Sequence, residues 1–308
     1  MDVLKFRFAA IRLFLGLVPR NTASLVTGWM ARLRLPGIFQ VIANSLFIKV
    51  FRLNMAEAQL ADPGAYASIE DLFIRRLRPG IRPVQSRYVS PADGYLAWSA
   101  PLHHGAAIQA KGIDYNPAEL IWGNEAADHE REAGELSWFT TVYLAPHNYH
   151  RVHAPVAGAI RQVRYIAGDL WPVNEPFVRF FPELFLRNER LVFDVELAAG
   201  SGMRAYVVMV GAFNVGRMTT HLIPGFTTND KFFRELSRRQ RQKSWIFDGQ
   251  KAEDPRPVAL EAGDELGAFL LGSTVVIVLN MAAQEFLKPV KATGNNPVML
   301  GRALNLPN

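Results

Sequence analysis

Leu271-Gly272-Ser273-Thr274 places a serine between two apolar runs, 266–270 and 275–279, in a chain of 308 residues. A serine hydroxyl is a weak nucleophile until a base takes its proton, and two upstream segments hold residues suited to that task. Ser90-Pro91-Ala92-Asp93-Gly94 carries a carboxylate in a turn-forming sequence. Tyr143-Leu144-Ala145-Pro146-His147-Asn148-Tyr149-His150-Arg151-Val152-His153-Ala154-Pro155 holds three of the seven histidines. A histidine oriented by a carboxylate keeps the tautomer a base needs and carries the imidazolium that forms, so Asp93 and His153 can activate Ser273. Each segment also has a plainer reading. Gly-Ser-Thr between strand-like runs is a turn or bulge, and Ala-Asp-Gly is a turn. His-x-x-His-x-x-His is a spacing zinc could use. Three-residue spacing suits a helix face, however, whereas Tyr-His-Arg-Val-His leading into Ala-Pro-Val reads as extended, and no metal ligand is assigned.

Two further motifs follow in order, Phe185-Leu186-Arg187-Asn188-Glu189-Arg190 and Val210-Gly211-Ala212-Phe213-Asn214-Val215-Gly216. With the three segments above they make five ordered motifs, and the chain resembles the phosphatidylserine decarboxylases from its N-terminal region to just beyond Val278. Lys111-Gly112-Ile113-Asp114-Tyr115 matches another stretch of that family, where Tyr115 either shapes a pocket or packs in the core. The resemblance implies a proenzyme that cuts itself between Gly272 and Ser273, with Asp93, His153 and Ser273 as the self-cleavage triad. The products are a large chain, 1–272, and a small chain, 273–308, paired as a heterodimer that forms a homodimer with its own kind. It implies a covalent pyruvoyl cofactor made from Ser273, and His150 as proton donor. His147 stands where the family often has arginine and is left unassigned.

The chemistry explains the residue types. The serine hydroxyl attacks the preceding carbonyl and turns the amide into an ester. Gly272, with no side chain and a wide range of backbone angles, leaves that carbonyl approachable. Loss of the serine α-proton then expels the upstream carboxylate and leaves dehydroalanine, whose hydrolysis gives a pyruvoyl group and ammonia. The ketone condenses with the amine of phosphatidylserine, and the resulting Schiff base accepts the electrons released as CO2 departs. The protein aligns the carboxylate and protonates the carbanion, after which hydrolysis releases phosphatidylethanolamine. In an extended segment His150 and His153 would point to opposite faces, so the chain has to turn for both to serve one site. Arg187, Asn188 and Arg190 suit a phosphate or carboxylate, or an ion-paired loop beside Glu189.

Two other classes compete. A serine hydrolase could use the same Asp93, His153 and Ser273, but an α/β-hydrolase would show Gly-x-Ser-x-Gly at a strand-to-helix elbow, and Ser273 is followed by a β-branched run. A non-catalytic membrane-associated β-scaffold would leave the motifs without use. Pyruvoyl decarboxylases of soluble amino acids would gain nothing from the N-terminal region.

That region is apolar and basic. Residues 1–54 hold eight Lys and Arg (Lys5, Arg7, Arg12, Arg20, Arg32, Arg34, Lys49, Arg52) against Asp2, a charge of +7, which leaves −1 for the rest of a chain whose net charge is +6. The excess is too local for a nucleic-acid-binding body. The longest uncharged stretch, 35–48, is too short to span a bilayer as a helix. Arg12 interrupts any signal-peptide core. Basic residues among large apolar ones read as helices lying in an anionic lipid interface, or as amphipathic helices docked on the protein's own core. With no organelle-type presequence, the expected place is the cytoplasmic face of a bacterial inner membrane, as a peripheral protein. No cysteine is present, so disulfides, thiolate metal sites and a cysteine nucleophile are excluded. Hydrophobic residues make up 49% of the chain and mean hydropathy is +0.04, which marks a globular protein with a sizeable core.

Spacing predicts helices over 24–33 and 38–53, broken by Pro19, Pro36 and Pro63, and another over 68–77 with Ser68 as N-cap, stopped by Arg78-Pro79-Gly80. From about residue 85 the pattern becomes strand-sized apolar runs at 95–98, 139–144, 159–166, 191–195, 204–210 and 275–279. The expected fold is α+β, an α-helical membrane-associating region (1–62) ahead of a β-rich catalytic domain (63–308). The basic run from Arg234 to Lys243 reads as a solvated face.

Overall fold

The computed structural model describes residues 20–102, 104–110, 113–133, 135–213, 217–228, 242–247, 258–270, 273–280 and 296–304. Two helices come first, α1 (Arg20–Ala31) and α2 (Ile38–Phe51), followed by a short α3 (Ile69–Phe73). Next come β1 (Gly94–Pro101), β2 (Ala107–Ala110), β3 (Ile113–Tyr115), α4 (Pro117–Trp122), α5 (Ala126–Ala133), β4 (Leu136–Leu144), β5 (Arg151–His153) and β6 (Gly158–Ile166). Then follow α6 (Glu175–Phe180), α7 (Leu184–Arg187), β7 (Arg190–Glu196), β8 (Arg204–Val210), β9 (Met218–Thr219), β10 (Gln242–Ile246) and β11 (Val258–Leu260). The last three are β12 (Glu265–Phe269), β13 (Ser273–Asn280) and β14 (Asn296–Val298).

Nine strands form one antiparallel sheet in the order β10-β6-β7-β8-β13-β4-β1-β14, with β11 also on β6. The strand β13 lies in its middle, pairing Thr274 with Tyr143 of β4 and with Val210 of β8. It is buried on both faces, and its uninterrupted apolar run has that cause. Val275, Ile277 and Leu279 enter one core; Val276 and Val278 enter the other. The first core is closed by a small sheet, β5-β12-β9, through Val152, Leu266, Phe269 and Met218. The second is closed by Leu120, Ile121 and Trp122 of α4 and by Leu184 and Phe185 of α7. All six predicted strands are present, the 204–210 run with the same bounds. The body is β-rich, as expected.

The helix predicted over 68–77 ends early. Ser68 does cap it, accepting from the Asp71 N–H at 3.1 Å. Beyond Ile74, however, residues 76–78 are drawn into backbone pairing with 57–59, where Gln59 N donates to Arg76 O and Arg78 N to Glu57 O. Competing hydrogen bonds end it before Arg78-Pro79-Gly80 can.

Helix α2 is oriented inside out. Its buried residues are Gln40 and Asn44. The Asn44 amide donates to Pro63 O and Tyr66 O at 2.8 and 2.9 Å and accepts from Gln40, whose own oxygen accepts from Leu35 N. Ile38, Phe39, Ile42, Leu46 and Val50 face outward, with Val26, Trp29 and Met30 of α1 likewise exposed. Among the described residues no helix is long and apolar enough to cross a membrane.

Gly94 lets β1 approach β4, since a methyl there would overlap the Tyr143 carbonyl oxygen. Gly94→Ala, compared by urea unfolding with Ser273→Ala in both proteins, is expected to lose about 1–3 kcal/mol. An unchanged midpoint would refute the close β1–β4 contact.

Candidate active site

Asp93 sits just before β1, 7% exposed. Its carboxylate receives two hydrogen bonds from Arg82, Nε to Oδ1 at 3.0 Å and Nη2 to Oδ2 at 2.7 Å, and a third from Leu300 N at 2.8 Å. Arg82 Nη2 also binds Glu57 at 2.7 Å, so one guanidinium bridges two carboxylates. A fork geometry of this kind suits arginine and raises its already high proton affinity.

The turn at 145–148, closed by Asn148 Oδ1 accepting from Ala145 N, leads through His150 into β5, which ends at His153. His153 is held by its backbone N–H to Pro91 O at 2.8 Å, which ties it to the Asp93 turn. Its Nδ1 lies 2.7 Å from Gly263 O. A carbonyl only accepts, so Nδ1 carries the proton and Nε2 keeps a lone pair, 3.2 Å from the Tyr149 hydroxyl. Burial lowers the imidazole's pKa, opposed by the Gly263 hydrogen bond and by the charges of Glu265 and Asp93. The orienting acceptor is thus the Gly263 carbonyl, while Asp93 acts on His153 through its charge and its carboxylate oxygens go to Arg82 and Leu300.

His150 is fully buried. Its Nδ1 donates to Asn148 O at 2.9 Å, and Nε2 has no hydrogen-bond partner among the described residues. Phe73 covers the ring at 4.0 Å between centroids. Burial pushes its pKa down to about 3, helped by the nearby Arg75 charge and opposed by the Asn148 hydrogen bond. His147 is exposed, with Nε2 3.3 Å from the Tyr95 hydroxyl. The three imidazoles therefore serve three different settings.

Ser273 enters through its backbone as the first residue of β13, opposite Leu144. Thr274, Tyr143 and Tyr95 lie abreast on β13, β4 and β1, so Ser273 and the Asp93-Gly94 turn share one end of the sheet, two strand spacings or about 10 Å apart. The histidines reach the same end through β12. Glu265 pairs with His153, and Phe269 N donates to His150 O at 2.9 Å. Ser273 is four residues beyond Phe269, at most about 14 Å of extended chain. The chain thus leaves the small sheet at Leu270 and starts β13 of the large sheet at Ser273; Leu271 and Gly272 lie outside the described residues. So do Lys111, Gly112, Asn214, Val215, Gly216, the 234–241 part of the basic run, and residues 1–19.

The Phe185–Arg190 motif is a latch. The Asn188 amide ties Trp171 O to Gly211 O, and Arg190 donates to the carbonyls of Leu120, Phe185, Leu186, Asn188 and Glu119. Glu189 is buried, accepts from the hydroxyls of Tyr165 (2.7 Å) and Thr228 (3.3 Å), and is pushed up to about 7 by burial. Tyr115 packs edge-on against Phe185 in the second core. Arg82, Tyr149 and the Gly263 carbonyl were not singled out in the sequence.

The model of the phosphatidylserine decarboxylase family matches residues 69–304. The chain belongs to the phosphatidylserine decarboxylase family. Its relatives include proteins named phosphatidylserine decarboxylase proenzyme from Alcanivorax borkumensis, 35% identical over 89% of both chains, and from Pseudomonas fluorescens, 36% identical over 94% of both. Another, from Shewanella pealeana, is 36% identical over 85% of this chain and 86% of its own. Membership of a decarboxylase family gives the sheet end shared by Ser273, Asp93 and the histidines its chemical context.

The buried neutral histidine has a measurable cost in acid. Unfolded, His150 takes a proton near pH 6.5; folded, only near 3. Its contribution is therefore full above about 6.5 and declines as pH falls toward 3. Between pH 6.5 and 4.5 that amounts to about 2 kcal/mol. Denaturant unfolding should show His150→Asn losing that much less stability over this window than its parent, with Ser273→Ala in both. Equal pH slopes would mean that the ring is protonated in the fold.

Proposed function

We propose that this chain decarboxylates phosphatidylserine with a pyruvoyl group that it makes from Ser273. The observation that carries the reading is the junction of the two sheets: Ser273 begins the central strand at the end where Asp93 lies, four residues after a strand bonded to His150 and His153. His153 Nε2 takes the hydroxyl proton as Ser273 Oγ attacks the Gly272 carbonyl carbon. The amide C–N bond breaks as the ester C–O bond forms, and the serine nitrogen takes a proton. Removal of the Ser273 α-proton then expels the Gly272 carboxylate, and water replaces the nitrogen, releasing ammonia.

The residues fit the group, because β13 is anchored on both edges and a new terminus at 273 stays fixed at the sheet end. A pyruvoyl group there supplies the electron sink for decarboxylation. His150 Nε2 gives the proton that replaces CO2 on the substrate carbon, and an anionic substrate beside the ring raises its proton affinity. The serine hydrolase reading gains nothing from a serine at the start of a central strand.

Residues 1–62 serve as the lipid-facing part and 63–308 as the catalytic part, with the two chains held together and paired as a dimer. A helix that buries Gln40 and Asn44 and exposes Ile38, Phe39, Ile42, Leu46 and Val50 has its apolar face matched to acyl chains, with Lys49 and Arg52 exposed nearby for anionic head groups. The place is a membrane surface, the cytoplasmic face of a bacterial inner membrane.

Intact-protein mass spectrometry tests the cut. The wild type should give a fragment of about 4 kDa, residues 273–308, whose first residue is lighter than serine and lacks an amine. Ser273→Ala should stay a single 34.5 kDa chain without decarboxylase activity; full activity in that variant would sink the mechanism. His150→Ala should be cut yet fail to turn over. For the lipid surface, sedimentation with phosphatidylglycerol vesicles should fall at least about tenfold for Ile42→Glu with Leu46→Glu, since each loses an apolar burial of about 1.5–3 kcal/mol. Undiminished sedimentation would remove α2 from the interface.

A further inference from the structure

Arg75 is held in place from both sides. Ile74 O accepts Arg151 Nε at 2.8 Å before it, and the pairing of 76–78 with 57–59 follows it. The next residue, Arg76, reaches solvent with its side chain 66% exposed, but Arg75 is turned inward and is 3% exposed. Its Nε and Nη1 have no hydrogen-bond partner among the described residues. Nη2 makes only a long contact, 3.4 Å, with His147 O. Asp93 and Glu57, the carboxylates whose charge reaches it, are both bound to Arg82.

The next carbonyl along the same turn, Asn148 O, takes the Nδ1 proton of His150. A guanidinium with unused donors and an imidazole with an unused Nε2 are thus attached to consecutive carbonyls. Phe73, two residues before Arg75, lies on the His150 ring. A buried guanidinium without a counter-ion is strongly unfavourable unless something anionic completes it. Planar paired donors suit a phosphate or carboxylate.

We propose that Arg75 binds the phosphodiester of the phosphatidylserine headgroup, beside the carbon that His150 protonates. This rests on the decarboxylase reading above. The carboxylate is the poorer match, because it loses its charge as CO2 leaves, and a cation on it would stabilise the reactant against that loss. The phosphodiester keeps its charge from substrate to product. It lies three bonds from the α-carbon, a short reach from His150. It also places an anion next to a cation that otherwise opposes protonation of His150.

The test compares wild type, Arg75→Met and Arg75→Lys as full chains, each first checked by mass for the cut. Rates are measured on short-chain dihexanoyl phosphatidylserine, with glycerophosphoethanolamine as inhibitor, since it has the phosphodiester but no carboxylate. For Arg75→Met we expect normal cutting, a KM raised about 10- to 100-fold with kcat little changed, and inhibition weakened by a similar factor. Arg75→Lys should recover part of both. Unchanged KM in Arg75→Met overturns the proposal. So does a raised KM with undiminished inhibition, which would put the guanidinium on the carboxylate. If Arg75→Met is not cut, Arg75→Lys carries the test by the same shift in inhibition. If neither is cut, the proposal fails and Arg75 belongs to folding or self-cleavage. Absence of phosphatidylethanolamine from the wild type is a separate failure, that of the decarboxylase reading itself.

Discussion

The strand β13 is hydrogen-bonded to β4 along one edge and to β8 along the other, and it is packed on both faces. Without it the nine-stranded sheet would divide into a β14-β1-β4 part and a β8-β7-β6 part. Everything at the candidate site depends on that pairing. It sets Ser273 beside Leu144, brings the Asp93 turn to the same sheet end, and fixes where the chain must come from, the small sheet that carries the histidines. A residue on a loop moves with the loop, whereas the backbone of one at the start of a central strand is set by the sheet.

The electrostatics around that end work by exclusion. Asp93 faces a guanidinium and a backbone amide, Glu57 faces the same guanidinium, and the two inward histidines face carbonyls. A carbonyl on Nδ1 fixes the tautomer without adding a charge, so each ring presents a lone pair at Nε2. Burial then keeps both rings neutral near pH 7. Asp93 and His153 are neighbours through the His153 N–H to Pro91 O rather than partners through a side-chain hydrogen bond.

The strands were legible because each is an apolar run bounded by Gly, Pro or Asn, and the local pattern is the tertiary one. The helix at 68–77 was overread because its last residues are claimed by 57–59, a partner the local sequence does not announce. His150 and His153 seemed awkward three residues apart. The chain resolves this by starting β5 only at Arg151, with His150 packed on Phe73 and His153 near Tyr149. The basic and apolar mixture of α2 was visible in the sequence, but which face it turns outward was not, because that is settled by Asn44 meeting Pro63 O and Tyr66 O. Arg75 and Arg76 are indistinguishable as letters; only the fold sends one inward.

The central strand also belongs to the last 36 residues of the chain, together with β14 and the 299–304 segment that binds Ser90 and Asp93. In one piece, the chain unfolds and refolds as a unimolecular event. Severed before Ser273, the same contacts join two molecules, and loss of structure releases a peptide into dilution. Recovery then depends on the concentration of both partners and on an apolar strand finding its slot before it aggregates. A chain so cut would assemble the sheet from a single molecule only once. Thereafter the protein would persist by the height of its unfolding barrier more than by re-forming.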